Sequence, residues 1–380
     1  YKQFKVLDLN FLFKNIKYSK NKFSFIAERI LFKDNKGFEV KSGNCILNLD
    51  SSKMVLDDFN ISTPYSNLIL NKVLYSKGEN NLPESSKIVN VNDFRSSLNL
   101  IDVNHFIKLP FLYDSSINIS SQFHFSDKEI LAQNCNVKIG EQSFLRGSFN
   151  FKSFLDSNTS FFNFKFNDGE IFKKDIAKFK IKNDIDIFIP IEIPSSLSSL
   201  SSLNLNLEAK GNSKKVKTNF SLNSSLGDVF GQLNVINYQS KNPRYLLSVN
   251  ANHIDGKLIE LDSNINQFNA KLNIEGSGFD KSNYDVNVGG RITNLEVSGY
   301  TFDDLKINGK LKNQSFNGQV MLSDQYLDFY FNGIFDLNSP YKFDFTFDLN
   351  RALLSELGIF NRDQGVNFTF RALASIRGNN

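Results

Sequence analysis

The chain has 380 residues and a formal net charge of +4, with 39 Phe and 12 Tyr but only 7 Pro, 2 Cys and no Trp. Aromatic residues favour strands, Pro interrupts sheet ladders, and nine Ala are too few for a helix bundle, so the chain reads as mostly β. The small charge is spread along the chain and leaves no nucleic-acid footprint, while two distant Cys exclude a disulfide scaffold or a Cys-based metal cluster.

No stretch approaches the length of an apolar membrane span, and no basic-then-apolar signal segment opens a chain that starts at Tyr1. It reads as an interior piece of a longer protein, with any membrane anchor outside it.

From the N-terminus onward the dominant pattern is alternation of apolar and polar residues, which puts the two classes on opposite faces of a strand. Residues 1–78 form a first sheet segment, and the polar stretch 79–90 with Pro83 reads as a loop. In residues 91–189, a short helix is expected at Asn104–Leu109. Strands follow with Phe123 and Phe125, then Phe149 and Phe151, then Phe162, Phe164 and Phe166 on their apolar faces. Lys178, Lys180 and Lys182 point away from the apolar side, and Ile185 and Ile187 close the segment. The Ser- and Pro-rich residues 190–202 read as a second loop. Residues 203–380 resume the pattern with Leu203, Leu205 and Leu207, then Leu327, Phe329 and Phe331, then Phe343, Phe345 and Phe347. Leu353, Leu354 and Leu357 have helical spacing, so a short helix is expected at Arg351–Leu357.

Turn signals such as Asp34-Asn35-Lys36-Gly37 and Asn167-Asp168-Gly169 separate the runs and give about 25 to 30 strands in an antiparallel meander. Compact groups of seven or eight strands between clear linkers are missing, so the expected fold is all-β: an elongated antiparallel sheet curled into a hydrophobic groove, with a few short helices. The interior of a sandwich or closed barrel would alternate in the same way and stays open as the other reading.

No catalytic, metal or cofactor constellation emerges, and the chain reads as non-enzymatic. His105, His124 and His253 lie far apart and lack paired acidic or Cys neighbours, which suits structural or surface roles. Gly276-Ser277-Gly278 lacks the third Gly of a dinucleotide loop and reads as a turn.

Two passages carry a family resemblance. Gly299-Tyr300-Thr301-Phe302-Asp303-Asp304-Leu305 with Tyr326-Leu327-Asp328-Phe329-Tyr330-Phe331, and Ser62-Thr63-Pro64-Tyr65-Ser66 after the strand from Leu56, resemble the TamB-like proteins of the AsmA superfamily. The resemblance implies a taco-shaped periplasmic β-groove that bridges the inner and outer membranes of a diderm bacterium and conducts phospholipid. It further implies phospholipid acyl chains, an Omp85-class outer-membrane barrel and the inner membrane as partners, with no cofactor. The groove lining would then be the Phe, Leu and Ile positions named above. Two other functions stay open: an assembly factor for outer-membrane barrels, and a secreted or surface β-sandwich adhesin.

Overall fold

The computed structural model describes residues 6–77, 87–106, 109, 111–126, 128–153, 160–182, 187–193, 197–238, 240, 242–257, 264–278, 283–338, 341–353, 356–357 and 368–378. The protein is almost entirely β, and 22 strands join one antiparallel sheet. By its contacts the chain divides into two units, Tyr1–Ile193 with Ser201–Glu208, and Pro194–Leu200 with Ala209–Asn380.

The first unit contains, in chain order, β1 (Val6–Ser19), β2 (Lys22–Asp34), β3 (Glu39–Val40), β4 (Ser42–Asp50), β5 (Lys53–Ser62), β6 (Asn67–Lys77) and β7 (Lys87–Asn99). Then come α1 (Leu100–Phe106), β8 (Phe111–Tyr113), β9 (Ser116–Ser126), β10 (Glu129–Ile139), β11 (Ser143–Lys152) and β12 (Phe161–Phe172). It ends with α2 (Lys173–Ile176), β13 (Phe179–Lys182), β14 (Phe188–Pro190) and most of β15 (Ser202–Gly211). The second unit contains β16 (Lys215–Ser224), β17 (Gly227–Ile236), β18 (Arg244–Asp255), β19 (Gln267–Ser277), β20 (Asp285–Thr293), β21 (Leu295–Val297) and β22 (Tyr300–Phe302). It continues with β23 (Leu305–Lys312), β24 (Ser315–Ser323), β25 (Leu327–Asp336), β26 (Tyr341–Ala352) and β27 (Phe370–Gly378).

Both ladders are meanders. In the first unit the order is β1-β2-β4-β5-β6-β7-β9-β10-β11-β12, every neighbour antiparallel. Among the described residues no pairing joins β1 to β12, so this ladder is open. Tight turns set it up: Asp50 accepts the N–H groups of Ser52 and Lys53 at 2.9 Å, closing the β4–β5 hairpin locally.

A line of irregularities crosses the first ladder. Register slips fall between Lys14 and Lys17, Asn44 and Ile46, Val91 and Phe94, Ala132 and Cys135, and Arg146 and Gly147. Asn15, Asp58 and Asn134 on this line have φ of 52°, 48° and 51°, a left-handed conformation that Asn and Asp tolerate best after Gly. A β-bulge bends its strand and deepens the local twist, so aligned bulges crease the sheet. Small residues occupy the crease: Ala27, Cys45, Val73, Val91, Ala132 and Cys135 are all buried. A Cβ on Gly147 would drive into the Lys165 carbonyl, which is why the slip at Arg146–Gly147 needs glycine.

The second unit pairs β16-β17-β18-β19-β20-β23-β24-β25-β26-β27, and among the described residues its slips are at Ala251–Ile254 and Asp328–Phe329.

Three local expectations need revision. Arg351 and Ala352 complete β26 rather than opening a helix, because the Ala352 N–H and C=O both pair with Phe368. Among the described residues a single turn follows, in which the Leu353 carbonyl accepts from Glu356 and Leu357; Leu354 lies outside the described residues. The other helix, α1, starts at Leu100 instead of Asn104, because the Asn99 side chain caps it by accepting the Ile101 N–H at 2.9 Å. Lys87–Asn90, expected in the loop 79–90, belong to β7; residues 79–86 lie outside the described residues.

Candidate functional site

Strand register turns the sequence alternation into columns. In the first unit one column runs across nine strands as Phe25, Leu47, Leu56, Val73, Val91, Phe123, Ala132, Phe149 and Phe164, each paired with the next. Beside it runs Phe23, Leu49, Met54, Tyr75, Val89, Phe125, Ile130, Phe151 and Phe162. No polar side chain interrupts either column apart from the Tyr75 hydroxyl. Ring centroids are 5.7 Å apart for Phe123–Phe149, 6.1 Å for Phe149–Phe164 and 5.2 Å for Phe151–Phe164, so the aromatics form one contact network.

The second unit repeats the arrangement independently. Phe220, Gly231, Val249, Leu272, Gly290, Ile307, Val320, Phe331 and Phe347 form a column, with Phe329 and Leu349 paired beside it. On the opposite face Asn219, Gln232, Ser248, Asn273, Gly289, Asn308, Gln319, Asn332 and Thr346 form a polar column across the same strands. The strands thus carry a mainly apolar face and a mainly polar one, with Phe230, Leu246 and Leu373 exposed on the polar side.

These apolar faces are partly covered: Val73, Val91 and Ala132 of the first column are buried, and its aromatic rings keep part of their surface exposed. Among the described residues Phe331 is the only buried Phe, at 7% exposure; the other aromatics of the columns are half-buried. A single sheet face of this composition would be a costly surface in water without a cover or an occupant.

The residues singled out from sequence distribute as follows. Phe123, Phe125, Phe149, Phe151, Phe162 and Phe164 share the first unit's face, and Phe166 joins them beside the crease, paired with Gly147. Leu203, Leu205 and Leu207 alternate half-buried with exposed Asn204 and Asn206 on β15. Leu327, Phe329, Phe331, Phe343, Phe345 and Phe347 share the second unit's face, where Phe331–Phe345 and Phe329–Phe347 ring centroids are 5.5 and 5.6 Å apart. Ile187 is placed differently: it stands exposed just before β14, which belongs to a separate three-stranded sheet, because the chain leaves the main ladder after β12. Ile185 lies outside the described residues.

That separate sheet, β8-β13-β14, is built from two excursions, one after β7 and one after β12, which meet through Tyr113 paired with Phe179. α1 and α2, which flank these excursions, are held by two buried carboxylates, Asp34 and Asp175, whose roles the sequence reading does not show. Asp175 accepts from the N–H groups of Glu141, Gln142 and Ser143 at 3.1, 3.1 and 2.8 Å and from the Ser143 hydroxyl at 2.8 Å. Burial alone would raise its pKa, and these hydrogen bonds, from Ser143 first, outweigh that and hold it below the ordinary value. Gly140, at φ +64°, is required because a Cβ there would strike the Asp175 carboxylate. Asp34 accepts from the Lys36 and Phe38 N–H groups at 2.9 and 2.7 Å and contacts His105 Nε2 at 2.7 Å. Burial pushes its pKa up, and the bonds from His105, Lys36 and Phe38 more than reverse the shift.

Cys45 and Cys135 are free and buried, and burial pushes both thiols up, away from the thiolate form. Among the described residues no group of three His, Cys, Asp or Glu side chains could hold a metal ion, and no helix is long and apolar enough to cross a membrane. No protein-family model matches the chain, and comparison with curated proteins and with solved structures gave no match.

Proposed function

We propose that the apolar faces bind hydrocarbon chains and that the protein is a non-enzymatic conduit for phospholipid between inner and outer membranes. The observation that carries the reading is the pair of unbroken apolar columns across nine strands of the first unit, matched by a like face in the second. Moving the two acyl chains of a phospholipid through water exposes about 28 methylenes and costs on the order of 20 kcal/mol, which makes free transfer slow. A continuous greasy face removes most of that barrier. A conduit also needs sites of similar depth, since one over-strong site would stall movement. Monotonous Phe, Leu, Ile and Val walls meet that need.

On this proposal the setting is the one the TamB-like resemblance implies: a periplasmic bridge, anchored in the inner membrane outside this chain and meeting an Omp85-class barrel. Mass spectrometry of an organic extract of the purified chain tests it. Stoichiometric phospholipid is the expected result, and a lipid-free extract from protein never exposed to detergent would reject it.

One observation supports a second reading. All 14 residues of the edge strand β1 are exposed, with Leu9 at 58%, Ile16 at 62% and Tyr18 at 82%, and among the described residues its outer edge has no partner strand. Such an edge can template another chain, as a barrel-assembly factor would require. Cross-linking from β1 to nascent barrel proteins, with no lipid in the extract, would favour that function.

A further inference from the structure

Beneath α1 the open face of the first unit becomes a cavity of about 330 Å³. Phe32, Phe38, Val40, Ile61, Leu68 and Leu98 wall it, and Asp102 and Val103 of α1 lie over it. The wall continues the apolar face: Leu68 is followed on the same face by Leu70, paired with Phe94, whose ring centroid is 4.7 Å from that of Phe123.

The polar groups at its rim are engaged with one another. The Thr63 hydroxyl donates to the Asp102 carboxylate at 2.5 Å and accepts the Ser66 N–H at 2.7 Å, and the Ser66 hydroxyl accepts the Asn99 N–H at 2.9 Å. Among the described residues the one charged side chain that lines the cavity is Asp102 of the helix, an acid. An anionic headgroup is repelled from such a rim, while the inner wall suits hydrocarbon. At about 330 Å³ the space is at the small end of ligand sites, enough for part of a chain and too small for a whole two-chain lipid.

We infer that this cavity receives the methyl end of one acyl chain, tail first, so that α1 marks a seat for a single chain end on the otherwise open face. The inference rests on the lipid reading above. Its physical content is polarity of insertion: the terminal methylenes lie under Val103, and the ester end lies out along the face toward Phe94 and Phe123.

The test uses the full chain and two photoactivatable phosphatidylcholines, one with a diazirine at the methyl end of its acyl chain and one with the diazirine beside the ester. Peptide mapping should place the methyl-end label on Leu68, Leu98 or Val103 and the ester-side label elsewhere. Val103→Trp, which fills the space, should cut cavity labelling by about tenfold, the cost of re-exposing about two methylenes, while labelling at Phe149 and Phe345 stays constant. The wild-type comparison of the two probes stands even where the variant folds poorly. Equal cavity labelling by both probes, or labelled Phe149 with an unlabelled cavity, would overturn the inference and leave the lipid reading intact. No labelling anywhere would reject the lipid reading and the cavity together.

Discussion

Asp34 and His105, 71 residues apart, meet at 2.7 Å and tie the end of β2 to α1. The carboxylate is ionised and can only accept, so His105 Nε2 carries the hydrogen and donates it. Asp34 therefore satisfies three donors at once, His105 and the Lys36 and Phe38 N–H groups. Asp34→Ala removes the shared acceptor of all three and should destabilise the first unit by about 2–4 kcal/mol, whereas His105→Ala leaves the two backbone bonds in place and should cost about 1 kcal/mol. Urea denaturation followed by circular dichroism measures both. Equal losses would mean that the histidine, and not the turn, is what the carboxylate chiefly serves.

Acid stability should depend on the same device. Asp34 and Asp175 both have folded pKa values below the ordinary 3.8, so their contribution is present above that pH and lost as pH falls through the folded values. The midpoint of urea unfolding for the first unit should hold down to about pH 4 and drop below it. In the double variant Asp34→Asn, Asp175→Asn the curve starts lower and is flatter across the acid range. A wild-type midpoint that falls steadily from pH 7 to pH 5 would contradict this assignment.

Tyr113 gives the opposite limb. Its hydroxyl is buried with no hydrogen-bond partner, and burial, then the charges of Asp175 and Glu141, push its pKa up to about 12 from 10. A raised pKa stabilises below the unfolded value and loses its effect as pH rises through the folded one, so the alkaline loss runs from pH 10 to about 12. Tyr113→Phe should remove part of that loss and, at pH 7, change stability by less than about 1 kcal/mol, since no bond is broken. Ser143→Ala, which removes the hydroxyl that donates to Asp175 and accepts the Phe172 N–H at 2.8 Å each, should cost about 1–3 kcal/mol.

The sequence made the faces legible because alternation is a local property: Phe343, Phe345 and Phe347 lie on one side whatever they pair with. Register is not local, so nothing in the sequence marks Val91 and Ala132 as the partners of Phe123 and Phe149 in the column. The crease was equally hidden, since a bulge at Asn134 is written in φ and in pairing, and its Asn looks like any other polar strand residue. Asp34 was visible only as a turn former. Its second role depends on a helix that arrives 71 residues later. The helical spacing of Leu353, Leu354 and Leu357 misled because the ladder to Phe368 competes for the same backbone and wins at Ala352.

The crease itself is testable at Asn134. At φ 51° a β-branched side chain meets the following carbonyl, so Asn134→Val should cost about 1–2 kcal/mol, while Asn134→Gly should be neutral or slightly stabilising. If Val is tolerated as well as Gly, the bulge relaxes without cost and does not shape the strand. The same pair of substitutions at Asn136, which keeps its place in both ladders, provides the control, where Gly rather than Val should be the worse.

Face, not composition, should decide lipid binding. Phe345 lies on the apolar side, its ring centroid 5.5 Å from Phe331, while its neighbour Thr346 pairs with Asn332 in the polar column. Phe345→Asp places a charge among aromatic rings, and a lipid held against that wall would have to desolvate it, a cost of several kcal/mol that no partner there offsets. Thr346→Asp puts the same charge where water already solvates Asp344 and Asn332, so lipid recovered in the extract should fall sharply for the first variant and stay near wild type for the second. Photo-cross-linkers placed singly at Phe123, Phe164, Leu205, Phe329 and Phe345 carry the argument further. A conduit predicts comparable lipid capture at all five, because chains that move along a wall visit every part of it. Capture confined to one position would mean a discrete pocket, and loss of lipid from both Phe345→Asp and Thr346→Asp, with folding intact by circular dichroism, would mean that the charge acts somewhere other than on the wall.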